Sequence, residues 1–288
     1  IFWPAGGFAL ALLLLAGPKY LPGVFGGALT AAIIIGGSPI FAVLSALGNV
    51  LETVCAYWLL TYYRPINLSL ERHQDFLWLL FYGASLSTLI SAGIGSLTLL
   101  ALKLIDPSLL PSIALRWWMA DAIGIAFMTP LILLWSQSRK QLEKQISLEI
   151  IALFALTFLM GQSLIFHWFV AQFLLEFSIA WILPFIIWAG LRAGRQYTAL
   201  LLCMIFLQAL WGASHGIGQY ANDMQESGMV NFWVFGMLTA VGGMLLAIIK
   251  SYESKQVKLR EESRGNVLEL IANDKPLVMI LEEIVRNI

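Results

Sequence analysis

Charge is what this sequence has least of. Only 12% of its 288 residues are Asp, Glu, Lys or Arg, about half the usual share in a soluble domain. That scarcity excludes a water-soluble globule and a disordered chain, both of which need polar surface. Seventeen basic residues balance 17 acidic ones, so there is no net field to hold a polyanion, and nucleic-acid binding is excluded with it. Cysteine is nearly absent too. Cys55 and Cys203 sit in separate apolar runs with no second cysteine at ligand or redox spacing, so both read as buried thiols. The three histidines, His73, His167 and His215, form no HxxxH or HExxH pattern, and no metal site is expected. His167 and His215 fall at the ends of apolar runs rather than mid-membrane, which disfavours a haem pair from two separate helices but leaves it open. No phosphate-binding loop, nucleophile elbow or paired acid with serine occurs, so no catalytic residue and no cofactor is assigned.

What is present is hydrophobicity, at 59% of the chain. A helix crosses the hydrocarbon core with about 20 apolar residues. Nine runs qualify, at 3–17, 20–36, 39–62, 76–102, 113–135, 147–166, 174–191, 196–213 and 229–249. They are too long and too uniform for barrel strands. The predicted fold is therefore an all-α polytopic membrane bundle of about nine spans. The first run opens on Trp3-Pro4, an interfacial Trp followed by a helix-starting Pro. Beginning the seventh at Phe169 instead would draw Glu176 into the membrane. Pro184 is expected to kink that helix.

Basic residues alternate between the connections. Lys19, then Arg64 and Arg72, then Arg139, Lys140 and Lys144, then Arg192 and Arg195 occupy every second one. The intervening connections hold only Lys103 and Arg116. The rule that basic loops stay inside then puts the Trp3 end outside and the segment from Lys250 in the cytoplasm. An outside start without a signal peptide, and no initiator Met, are read as a fragment lacking sequence at both ends, with one further helix upstream. The last 39 positions carry seven of the 17 basic and seven of the 17 acidic residues. Lys250 is accordingly the sharpest boundary in the chain, dividing a membrane domain at 1–249 from a cytoplasmic linker helix at 250–265.

Polar residues inside the apolar block are costly and therefore informative. Asn49 and Glu52 share a helix face in the third run, with Glu52 about 20 Å below its outer end. Asp121 lies about 12 Å below the start of the fifth, after Trp117 and Trp118. Two readings stand open. These groups either bond neighbouring helices together, or Asn49, Glu52, Trp117, Trp118 and Asp121 line an outward-facing cavity for a small ligand of unspecified chemistry. The glycines from Gly23 to Gly27 and at Gly36-Gly37 suit close helix packing. The stretch from Trp211 to Tyr220 reads as a glycine-rich outer loop that could close over a pocket.

In order along the chain, Trp3-Pro4-Ala5-Gly6-Gly7, Pro22-Gly23 with Gly26-Gly27, Gly48-Asn49-Val50-Leu51-Glu52, Trp117-Trp118 with Asp121-Ala122 and Gly124, Pro130-Leu131, and Leu191-Arg192-Ala193-Gly194 resemble the bacterial MASE1 integral-membrane sensory domain. Ala193 stands where that family usually has an aromatic residue. The resemblance implies a multi-helix input domain preceding a histidine kinase, or a cyclase or phosphodiesterase of cyclic di-GMP. It names no ligand. The run from Arg264 to Ala272, with Pro276-Leu277 and the segment from Ile280 to Val285, resembles the opening of a GAF domain, here 266–288.

From Ile249 to Leu270 the sequence continues as one helix. Its heptad positions are Ile249, Tyr252, Gln256, Leu259, Ser263, Asn266 and Leu270, four of them apolar. That makes a marginal parallel seam, so a homodimer is expected, with Tyr252, Gln256 and Leu259 as relay candidates. The reading is a sensory input module embedded in the lipid bilayer, without enzymatic activity of its own in this stretch. A partner membrane protein could supply the stimulus in place of a small ligand. A small-molecule transporter and an integral-membrane enzyme are the alternatives.

Overall fold

The computed structural model describes residues 2–137, 147–166, 179–273 and 278. Among the described residues there is no strand, and the chain folds as an all-α bundle. The helices are α1 (Pro4–Ala16), α2 (Leu21–Ile34), α3 (Pro39–Tyr63), α4 (His73–Ala101), α5 (Leu110–Gln137), α6 (Leu148–Phe166), α7 (Ala180–Ala193), α8 (Arg195–Ser214) and α9 (Val230–Ala272). Six of them, α3, α4, α5, α6, α8 and α9, are long and apolar enough to cross a bilayer.

The expectation of nine spans is therefore high. The first run stops early because Gly17 (φ +86°) and Pro18 end α1 after 13 residues, a rise of about 20 Å against the roughly 30 Å of hydrocarbon. The second yields a helix of 14 residues that lies along α3 and buries none of its side chains. For the seventh, Phe169 and Glu176 lie outside the described residues, and the described helix is Ala180–Ala193. Pro184 sits in the first turn of a regular segment after a short 3-10 stretch (Ile179–Ile182), where its missing N–H costs no bond.

The long helices start where the local chemistry allows. The Ser38 hydroxyl accepts from the Phe41 amide at 3.3 Å, with Pro39 following. Asp106 accepts from the Ser108 amide (3.0 Å) and hydroxyl (2.7 Å) before α5. Those two bonds hold its carboxyl below the usual range. The buried Asp223 carboxylate caps α9, accepting from the Phe232 amide at 2.9 Å and the Asn231 side chain at 2.8 Å. That satisfies donors left over by the helix start.

α1 runs parallel to α5 and leans on it. The Trp3 amide donates to the Ala120 carbonyl (3.1 Å), and the Thr129 hydroxyl to the Gly7 carbonyl (3.0 Å). Trp3 is thus level with Ala120, ten residues past the start of α5. Helices α1, α3, α4 and α5 make one half of the bundle, and α6 to α9 the other. Phe127 of α5, Phe206 of α8 and Phe232 of α9 form the seam between them, with Phe127–Phe206 centroids at 4.5 Å and Phe206–Phe232 at 5.0 Å.

One end of the bundle gathers the basic connections. Lys255 pairs with Glu71 at 2.8 Å, Arg195 donates to the Ser69 carbonyl at 2.8 Å, and Arg192 meets Glu149 at 2.9 Å. At the opposite end Arg116 lies against Gly228. The described residues so reproduce the alternation read from the sequence; Arg139, Lys140 and Lys144 lie outside them. α9 leaves the bundle at the basic end and continues unbroken to Ala272. Tyr252 and Leu259 are exposed on it and Gln256 is half-buried. Apart from Val278, the GAF-like segment from Asp274 onward lies outside the described residues.

Candidate functional site

The polar residues singled out in the sequence converge at mid-depth. Asn49 and Glu52 come from α3, and Asp121 from α5. The two carboxyl groups lie side by side, each only 1% exposed. By chain arithmetic they stood at different depths. The difference vanishes because α5 begins at Leu110 rather than 113, which puts Asp121 about 17 Å down, close to the level of Glu52.

Two residues complete the cluster that the sequence did not mark. Ser91 of α4 donates its hydroxyl to Asp121 Oδ2 at 2.5 Å. Trp3 donates its indole N–H to Asn49 Oδ1 at 3.2 Å. Asn49 in turn donates to the Ser45 carbonyl (2.9 Å), and the Thr53 hydroxyl donates to the Asn49 carbonyl (2.7 Å). Four helices therefore contribute to one polar node. Glu52 Oε2 alone in it is buried with no hydrogen-bond partner.

Small residues let the helices close around the node. A Cβ on Gly6 would stand 3.3 Å from Glu52 Oε1, and one on Gly48 would touch Ile94 at 3.3 Å. Gly95 accepts the six-membered face of the Trp117 ring, whose indole also reaches Asp121. Trp118 turns elsewhere, donating to the Ser85 carbonyl at 2.9 Å and packing on Trp233 at 5.2 Å. Of the five residues expected to line a ligand cavity, Asn49, Glu52, Trp117 and Asp121 come together and Trp118 points to α9.

The carboxyls do not line an outward-open cavity. They are sealed by α1. A cavity of about 470 Å³ lies on the other side of Trp3, Gly6 and Asn49, walled by α1, the small face of α2 (Gly23, Gly27, Ala28) and Thr53 of α3. The glycine-rich loop after α8 does not reach that cavity, but its residues Ile217 to Tyr220 do close over a small pocket against Ile165 of α6 and Gln208 of α8. Its His215 stacks on Trp211 (4.4 Å), and its Tyr220 packs on Phe232 (5.5 Å) at the start of α9. Among the described residues no group of three metal-ligating side chains occurs.

The face of α5 that turns from the node carries α9. The Trp233 indole donates to the Met119 carbonyl at 3.1 Å. Gly236 lets the helices approach until a Cβ there would meet Ile123 Cδ1 at 2.6 Å. Met119 and Ile123 flank Asp121 by two residues on either side.

The family model described as MASE1 matches residues 1–253. No curated protein and no solved structure matches the chain.

Proposed function

Because the chain belongs to the MASE1 family of integral-membrane sensory domains, we propose that the node of Asn49, Glu52, Ser91 and Asp121 is its input and α9 its output. A change of state at the node alters how α5 packs on α3 and α4. α9 shares that segment of α5 and carries the shift out of the membrane. By the positive-inside rule the end with Arg64, Arg72, Arg192 and Arg195 faces the cytoplasm of the bacterial inner membrane. The helix beyond Lys250 pairs with that of a second copy and drives a histidine kinase, or a cyclase or phosphodiesterase of cyclic di-GMP.

The observation that carries this reading is the double use of one stretch of α5. Asp121 faces the node, while the Met119 carbonyl and the Ile123 side chain hold α9 at Trp233 and Gly236. A stimulus can shift such a packing only by binding its two arrangements unequally.

The test uses the intact protein with its output domain. Glu52→Gln and Asp121→Asn keep the side-chain volumes and are expected to change output about 5-fold or more, the scale of ordinary allosteric coupling. Membrane expression should stay at the level of the parent protein. Unchanged output in both variants would reduce the node to a packing feature.

A further inference from the structure

A pair of carboxyl groups this deep in a bundle needs a partner. From α1 the pair meets Gly6 and the neighbouring Trp3 indole; from α4 it meets the Ser91 hydroxyl; from α5, the Trp117 indole. Among the described residues the other titratable side chain facing it is the Cys55 thiol, three residues along α3. None of these side chains supplies positive charge; the one cationic group acting on Asp121 is the chain's α-amino group. Arg116, the basic residue of α5, is directed to Gly228. Among the described residues α1, α3 and α4 carry no Lys or Arg, and the one histidine, His73, opens α4 at the far end. Two bare carboxylates side by side, deeply buried and without a cationic side chain among the described residues, would repel at close range in a medium that screens little. Like-charged pairs in such sites share a proton instead.

Space selects the same ligand. A Cβ added to Gly6 would stand 3.3 Å from Glu52 Oε1, and the cavity behind it does not reach the carboxyls. An ammonium or guanidinium group has no room between them. Glu52 Oε2 nevertheless stands fully buried without a partner, an acceptor with nothing to accept.

We propose that the Glu52–Asp121 pair is a proton-binding site, and that the proton is the ligand whose arrival and departure this module reads. Hydronium gives its proton to a carboxylate oxygen of the pair, forming an O–H bond on one acid that donates to the other, and leaves as water. The pair's charge falls by one, and the repulsion between α3 and α5 falls with it. Release reverses both. The cavity of about 470 Å³ reaches Gly6 and Asn49, one residue's thickness from the pair. The part of this inference that concerns reporting rests on the sensory reading above; the part that concerns binding does not.

The experiment is infrared difference spectroscopy of the intact protein in lipid bilayers, titrated over about pH 5–8 and beyond on both sides. The parent protein should show one protonated-carboxyl C=O band that forms and vanishes in a one-proton step. Glu52→Gln and Asp121→Asn should each shift the frequency and the midpoint of that band, the two together should remove it entirely, and Ser91→Ala should keep it. Exchanging potassium for sodium at fixed pH should leave it unchanged. No band that depends on both acids would overturn the proposal, and so would a band abolished by sodium, which would make the pair a cation site. Output is measured in parallel. A band with output indifferent to pH keeps the proton site and sinks its sensory role. Output that depends on Asp121 without such a band does the reverse.

Discussion

Replacing Gly124 by alanine puts a methyl group against the main-chain carbonyl of Trp3, far inside van der Waals contact. The opposing atom is backbone, so no rotamer change can relieve it. α1 must move off α5. Facing it, Gly7 meets Gly124 and Met128 Cβ (2.9 Å from an added Cβ), so the displacement cannot be taken up by sliding a side chain. Overpacking of this kind costs about 1–3 kcal/mol. Separation also weakens the Trp3–Ala120 and Thr129–Gly7 hydrogen bonds, each worth roughly 0.6–1.7 kcal/mol between membrane helices. The expected loss is about 2–5 kcal/mol in all. Gly23→Ala is the matched control. Nothing lies within 4 Å of a methyl there, and helix propensity favours alanine by up to about 1 kcal/mol. Unfolding by sodium dodecyl sulfate, followed by circular dichroism, separates the two. Gly124→Ala should unfold at a clearly lower detergent fraction, and Gly23→Ala at the parent value or slightly above. Equal behaviour of the two variants would refute the seating of α1 on α5.

Further outcomes follow from the ends of the bundle. Lys255 holds the Glu71 carboxyl below its usual range, so this contact is fully stabilising above the ordinary glutamate pKa and is lost as pH falls through the lowered value. The pair is largely exposed, so Glu71→Gln should cost only about 0.2–1 kcal/mol, seen as faster amide exchange at residues 251–259 at neutral pH and no further change on acidification. Asp223→Ala should cost about 1–2 kcal/mol by uncapping α9, with exchange rising at Phe232, whereas Asp223→Asn keeps most of the cap. One residue inserted after Lys258 turns everything beyond it by about 100°, and seven restore the phase to within about 20°. Output should fail in the first variant and return in the second; equal output in both would mean that α9 relays nothing by rotation.

The long helices were readable because an unbroken apolar run of about 20 residues has few other uses. Asn49, Glu52 and Asp121 stood out for the complementary reason, as polar groups in such runs. Ser91 did not. A helical serine usually satisfies itself on its own backbone, as Ser87 does on the Gly83 carbonyl and Ser96 on that of Ala92. Only Ser91 reaches across to Asp121, and nothing in its neighbourhood announces it. Trp3 carries the same ambiguity. An indole suits an interface, and equally a buried acceptor, here Asn49. The short helices misled because hydropathy scores side chains, while length is set by backbone breaks such as Gly17-Pro18. The ion pair of Glu71 with Lys255 joins residues 184 positions apart, a separation at which one sequence offers no pairing signal.

The unbroken course of α9 limits what kind of movement it can deliver. It has no proline, and all 43 of its residues form one helix that passes through Gly242-Gly243 without a break, so a swing of the whole rod is a motion it can deliver. Anchored near Gly236, it extends about 54 Å to Ala272. A tilt of some 5° at that fulcrum sweeps the far tip through roughly 5 Å. The geometry amplifies: a shift too small to disturb the seal around the carboxyls becomes a displacement as large as one helical turn where the next domain is attached.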